Sequence, residues 1–137
     1  MEAAAALAEL KDLSTQIEVV VLAYRSGELK ASTASGPAAE KLGKLGAEIV
    51  EHAEQVRRDL GRDGVSQLQV ATPDGSLFVV LDANLMALAT TAPDPTAGLV
   101  FYDLKTLLRQ IDEPAPAAAD EDQPAAETAE GEEDADA

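Results

Sequence analysis

The sequence has no cysteine and no tryptophan, and its only aromatic residues are Tyr24, Phe78, Phe101 and Tyr102. Without thiols, neither disulfides nor thiolate metal sites can form, and a core has to be built from aliphatic side chains. His52 is the single histidine, so no second imidazole is available for a zinc or other transition-metal site. No apolar run approaches the about 20 residues that span a bilayer, and no basic stretch precedes an apolar one at the start. The expectation is a cytoplasmic protein. Phosphate loops are missing too. Gly27, Gly36, Gly61, Gly64, Gly75 and Gly98 are scattered at the ends of elements, in neither a Walker-type nor a dinucleotide pattern.

Positive charge is scarce. The net charge is −16, unevenly distributed: residues 1–112 carry 16 acids and 10 bases, and residues 113–137 carry 10 acids and no base. So acidic a chain is repelled by nucleic-acid backbones and anionic lipid, and neither nucleic acid nor membrane is expected as a partner. From Glu113 the composition collapses to Ala, Pro, Glu and Asp, which cannot bury enough apolar surface to offset ordering entropy. A single domain over 1–112 and a disordered acidic tail over 113–137 are expected.

What is present is a clear alternation of elements. Residues 2–14 have helical spacing. Ile17–Tyr24 is β-branched and almost continuously apolar, the pattern of a strand covered on both faces. Arg25-Ser26-Gly27 supplies a hairpin turn, and Glu28–Ser32 alternates as an edge strand guarded by charge. A long helix follows between Gly36 and Gly61, with Pro37 at its start and Arg57 and Arg58 at its negative end. Ser66–Thr72 alternates, Pro73-Asp74-Gly75 turns, and Leu77–Leu81 and Leu85–Ala89 are apolar strands. Leu99–Ile111 closes with helical spacing. The fold class is α+β, in the order αββαβββα. Hairpin connections, with the first, fourth and fifth strands central, leave one antiparallel order, 2-1-5-4-3, with helices on both faces.

The long helix divides into three faces on a 3.6-residue wheel. Leu42, Leu45, Ile49, Ala53, Val56 and Leu60 form one stripe, predicted to face the core. Ala39, Gly43, Gly46, Val50 and Arg57 form a second, mostly small stripe. Glu40, Lys44, Glu51, Glu54 and Arg58 form a charged face. Glycine inside a helix costs about 1 kcal/mol relative to alanine, so Gly43 and Gly46 require a compensating close contact, either with the chain's own sheet or with a second helix. The neighbouring strand, Ser66–Thr72, carries no charge and no internal proline. Such an edge is a template for pairing with another chain. Together these features favour a two-fold homodimer with an interface at Ala39, Gly43, Gly46, Val50, Arg57, Gln67 and Gln69.

The hairpin VVVLAYRSGELKAS, the helix EKLGKLGAEIVEHAEQVRRDLG, the meander SQLQVATPDGSLFVVLDANLMALATT and the closing GLVFYDLKTLLRQI resemble the Roadblock family. That family is named for dynein light chains and includes bacterial regulators of small Ras-like GTPases. The resemblance covers Leu7 to Ile111. It implies the same αββαβββα fold and strand order, and a dimer joined through the long helix and third strand into one continuous sheet. It also implies a non-enzymatic regulator or scaffold, binding a small Ras-like GTPase and stimulating hydrolysis through the GTPase's own groups, or else a structural dimerisation module. The partner face is expected around Glu40, Glu51, Glu54 and Arg58.

Catalytic readings find little support. His52 lies at the border of an apolar and a polar face, and Asp82, Asp94 and Asp103 lie in or after turns, where aspartate serves backbone geometry. Arg57 and Arg58 could act as arginine fingers, but arginines at a helix C-terminus commonly complement its dipole. No catalytic, cofactor or metal residue is assigned.

Overall fold

The computed structural model describes residues 2–111, so the tail expected at 113–137 lies outside the described residues. The elements are α1 (Ala3–Leu13), β1 (Ile17–Tyr24), β2 (Leu29–Ser32), α2 (Pro37–Asp59), β3 (Gln67–Thr72), β4 (Gly75–Asp82), β5 (Leu85–Thr91) and α3 (Ala97–Gln110). All strand pairs are antiparallel, and the sheet order is β2-β1-β5-β4-β3, as the apolar patterning required. The three most continuously apolar strands, β1, β5 and β4, are the inner ones. β4 and β5 run longer than their apolar runs suggest, because Gly75, Ser76, Thr90 and Thr91 pair at their ends.

Strand alternation sends side chains to two cores. On one face, Leu7 and Leu10 of α1 and Val100, Leu104 and Leu107 of α3 pack against Val20, Leu22, Phe78, Val80 and Ala87. Phe78 and Phe101 meet there edge to face, with ring centroids 5.0 Å apart. On the other face, α2 covers Val21, Ala23 and Leu88, with Ala39 and Val50 in the same buried cluster. No helix among the described residues is long and apolar enough to cross a membrane.

The two apolar stripes of α2 lie opposite to expectation. Ala39, Gly43, Gly46 and Val50 are the buried residues of this helix, and they face the chain's own sheet. A Cβ on Gly46 would clash with the end of the Leu88 side chain, and one on Gly43 would lie 2.9 Å from the Gly27 carbonyl oxygen. In turn, a Cβ on Gly27 would lie 3.3 Å from the Lys44 Cα. The β1–β2 turn therefore sits directly on the helix backbone. This close approach offsets the helix-propensity cost of both glycines, and it leaves none of the four small residues open to a second helix. The predicted core stripe is instead on the outside. Leu45, Val56 and Leu60 are 46, 57 and 69% exposed, and Leu42, Ile49 and Ala53 are half-buried.

Gly46→Leu separates these two arrangements. Extra atoms at this position press into Leu88, which is fully buried, and overpacking of this kind costs about 1–3 kcal/mol. The expected result is a lower urea midpoint at protein concentrations too low for self-association. A normal midpoint combined with lost self-association would place Gly46 at a seam instead.

Candidate functional site

The surface feature that stands out is built by α2 and β3 together. α2 packs on β1, β2 and β5, so the β4–β3 half of this sheet face is only partly covered. Leu68 and Val70 of β3 pair with Val79 and Leu77 of β4 and share their face, which is the face under α2. Leu45 and Ile49 from the helix and Val70 and Leu77 from the strands line an open groove of about 350 Å³. Val70 is 38% exposed. Farther along α2, Val56 and Leu60 extend the same apolar stripe. An apolar strip of this kind, rimmed by polar residues, is characteristic of an interaction surface rather than a solvated one.

The open edge of β3 adjoins this strip. The Leu81 N–H donates to the Ser66 carbonyl at 2.9 Å, which fixes the phase of the β3–β4 ladder. With that register, Leu68, Val70 and Thr72 direct their backbone groups to β4, while those of Gln67, Gln69 and Ala71 point outward. Of the expected interface set, Gln67 and Gln69 therefore lie on the open edge. Arg57 lies at the exposed end of α2, where its Nε donates to the Asp63 carbonyl at 3.1 Å and holds the α2–β3 connection. Ala39, Gly43, Gly46 and Val50 lie beneath the helix, away from both.

The charged face is also divided. Glu40, Glu51 and Arg58 are exposed, with the Arg58 guanidinium donating to the Gln55 side chain at 3.1 Å. Glu54 is half-buried and occupied. Its Oε2 accepts from Arg25 Nη2 at 2.6 Å and from the Val65 N–H at 3.5 Å. One carboxylate thus ties the β1–β2 turn to α2 and to the segment entering β3. Arg25 is the residue that the sequence reading missed. Its place in a turn whose glycine packs on α2 is the signal that connects the two. The hydrogen bond from Arg25 lowers the Glu54 pKa, against a smaller opposing effect of burial, with Val65 and the charge of Arg58 assisting.

Other candidates stay apart. His52 is exposed, and no group of three or more His, Asp or Glu among the described residues is placed to hold a metal ion. Asp94 has φ of 60° in the loop before α3, a turn conformation that aspartate tolerates. Asp103 is half-buried, and burial pushes its carboxyl up from the usual range.

Linkage gives the Glu54 contact a pH signature. A folded-state pKa below the unfolded value means that the stabilisation is fully present above the unfolded value of about 4.3. It is lost as pH falls through the lowered folded value. With Arg25 36% and Glu54 19% exposed, the pair contributes about 0.2–1 kcal/mol. Glu54→Gln is expected to lower stability by about that amount at pH 7, and the difference from the native chain should shrink below about pH 4. A difference that persists unchanged into acid would contradict an ionic contact.

Residues 4–92 match the Roadblock/LC7 domain family. No curated protein matches the chain in sequence. Its fold is similar to that of Myxococcus xanthus MglB, with a TM-score of 0.68 at 18% identity, over 77% of this chain and 87% of that one. A Roadblock/LC7 domain from Streptomyces avermitilis gives 0.70 at 18% identity, over 80% and 93%. The gliding protein MglB from Thermus thermophilus gives 0.66 at 17% identity, over 77% and 82%. At these identities the likeness to each structure is one of fold. The sequence match, spanning the elements from α1 to β5, is the more specific finding, and by it the chain belongs to the Roadblock/LC7 family.

Proposed function

We propose that this protein is a cytoplasmic, non-enzymatic homodimer that binds and regulates a small Ras-like GTPase. Family membership supports the regulatory role, and the likeness of fold to MglB is consistent with it. The observation that carries the dimer is the exposed stripe of Leu45, Val56 and Leu60 beside the uncharged, unpaired edge of β3. Antiparallel pairing of two β3 edges through the outward groups of Gln67, Gln69 and Ala71 centres on Gln69. Antiparallel pairing of the α2 stripes sets Leu45 of one copy against Leu60 of the other, and Ile49 against Val56. A single two-fold axis serves both. The interface in this reading keeps Gln67 and Gln69 and replaces the four small residues with the apolar stripe.

The joined α2 helices then present Glu40, Glu51 and Arg58 from both copies to the GTPase. Glu54 supports that face from behind by holding Arg25. Regulation in this reading works by positioning, with the nucleotide chemistry supplied by the GTPase. A structural dimerisation module is the second reading, and the same interface serves it. Self-association with no effect on nucleotide turnover would decide for it.

Val56→Asp tests the dimer, because it sets a charge in each copy of an apolar contact. A loss of about 1.4 kcal/mol per copy raises the dimer Kd about a hundredfold, which sedimentation equilibrium reads directly. An unchanged Kd would remove this stripe from the interface. For the partner, GTP turnover by a small Ras-like GTPase of the same organism should rise when the native protein is added. Val56→Asp should blunt that effect. No binding in either nucleotide state would overturn the GTPase reading and leave the dimer standing.

A further inference from the structure

Opposite α2, on the other face of the sheet, a groove of about 270 Å³ runs between α3 and the start of β3. Val80 and Leu108 form its apolar floor, Ser66 and Gln67 bound it at the strand, and Lys105 and Arg109 bound it at the helix. The two cations are four residues apart and so share one side of α3. Both are exposed, and among the described residues neither has a hydrogen bond or ion pair. Asp82 also lines the groove without pairing with either of them.

Charge is arranged unusually around this end of α3. The chain leaves the helix at Ile111, one turn or less from Arg109 and Leu108, and continues into 26 residues that hold 11 acids and no base. The first acids, Asp112 and Glu113, follow the negative end of the α3 dipole, where carboxylates are disfavoured. Lys105 and Arg109 are the cations nearest in sequence that can offset this. The Asp120-Glu121-Asp122 run begins nine residues beyond Ile111, a reach of about 30 Å in extended chain. That span exceeds the last two turns of α3. The one richer basic cluster, Arg57, Arg58 and Arg62, is on the other side of the sheet. There Asp59 and Asp63 are interspersed, and Arg57 and Arg58 already hold partners.

We propose that the acidic segment 113–137 docks in cis into the groove of Lys105, Arg109, Val80 and Leu108, beside Ser66 and Gln67. The contact is electrostatic at its core, so it weakens with salt: at 1 M ionic strength the screening length falls to about 3 Å. It does not depend on the identity of any partner protein.

The absence of cysteine makes the test direct. Ala125→Cys gives the full chain a unique thiol for a nitroxide label. At low salt the label is expected to broaden the amide signals of Gln67 and Leu81 as well as those of Lys105 and Arg109. Broadening at Gln67 and Leu81 should be lost in 1 M NaCl and in the Lys105→Glu/Arg109→Glu variant. The neutral Lys105→Gln/Arg109→Gln variant should lose part of it. These positions are exposed, and the dispersion of the remaining amide signals reports that the fold is kept. Mixing the labelled chain with an unlabelled chain that carries the observed isotope, at a concentration below the dimer Kd, should give no broadening, since the contact is within one chain. Broadening that survives charge reversal would reflect tethering alone and overturn the proposal. So would broadening centred on Arg57, Arg58 and Arg62, broadening in the mixture, or none at Gln67 and Leu81.

Discussion

The close seating of α2 on its own sheet determines most of what this molecule presents to solvent. Gly43 and Gly46 let the helix backbone come down onto the Gly27 turn and Leu88, where a side chain at position 43 would press on the Gly27 carbonyl and one at position 46 would have to displace Leu88. With the helix held over β2, β1 and β5, its row of large apolar residues cannot also face the core. That row turns toward β3. The exposed stripe is thus a consequence of the glycines, and the same packing that stabilises the monomer creates the surface available for association.

The remaining contacts of α2 act in the same direction. Glu54 joins the β1–β2 turn and the segment entering β3 to the helix, and Arg57 holds the intervening loop. Each contact is individually modest, but together they fix the relation between the helix stripe and the strand edge. A two-fold interface that uses both needs that relation to be rigid. On the other sheet face, α1 and α3 close a core of ordinary aliphatic packing with one aromatic pair, which leaves the polar side of α3 free for other contacts.

Much of this was legible in the sequence. The strand order followed from which stretches were apolar on both faces, and the structure has that order. The charged and uncharged edges were also readable, because Lys30 and Glu28 mark one and Ser66–Thr72 lacks charge. The faces of α2 were not. A wheel ranks stripes by hydrophobicity, and Leu42, Leu45, Ile49, Val56 and Leu60 outrank Ala39, Gly43, Gly46 and Val50. Burial is set instead by how near two backbones can approach, and glycine permits what leucine prevents. The clue was available in the cost of two glycines inside one helix, with a third in the facing turn. Glu54 read as solvated for a related reason: its partner is 29 residues away, and no local spacing reveals such a pair.

The central claim is that the α2 stripe and the β3 edge form one seam. Amide hydrogen exchange along β3 tests it most directly, because its residues alternate in direction. Leu68, Val70 and Thr72 bond to β4 in any state, whereas Gln67, Gln69 and Ala71 face outward. The account predicts that exchange at Gln67, Gln69 and Ala71 slows as protein concentration rises through the dimer Kd, while Leu68 and Val70 stay protected throughout. Fast, concentration-independent exchange at Gln69 in a chain that sediments as a dimer would contradict it.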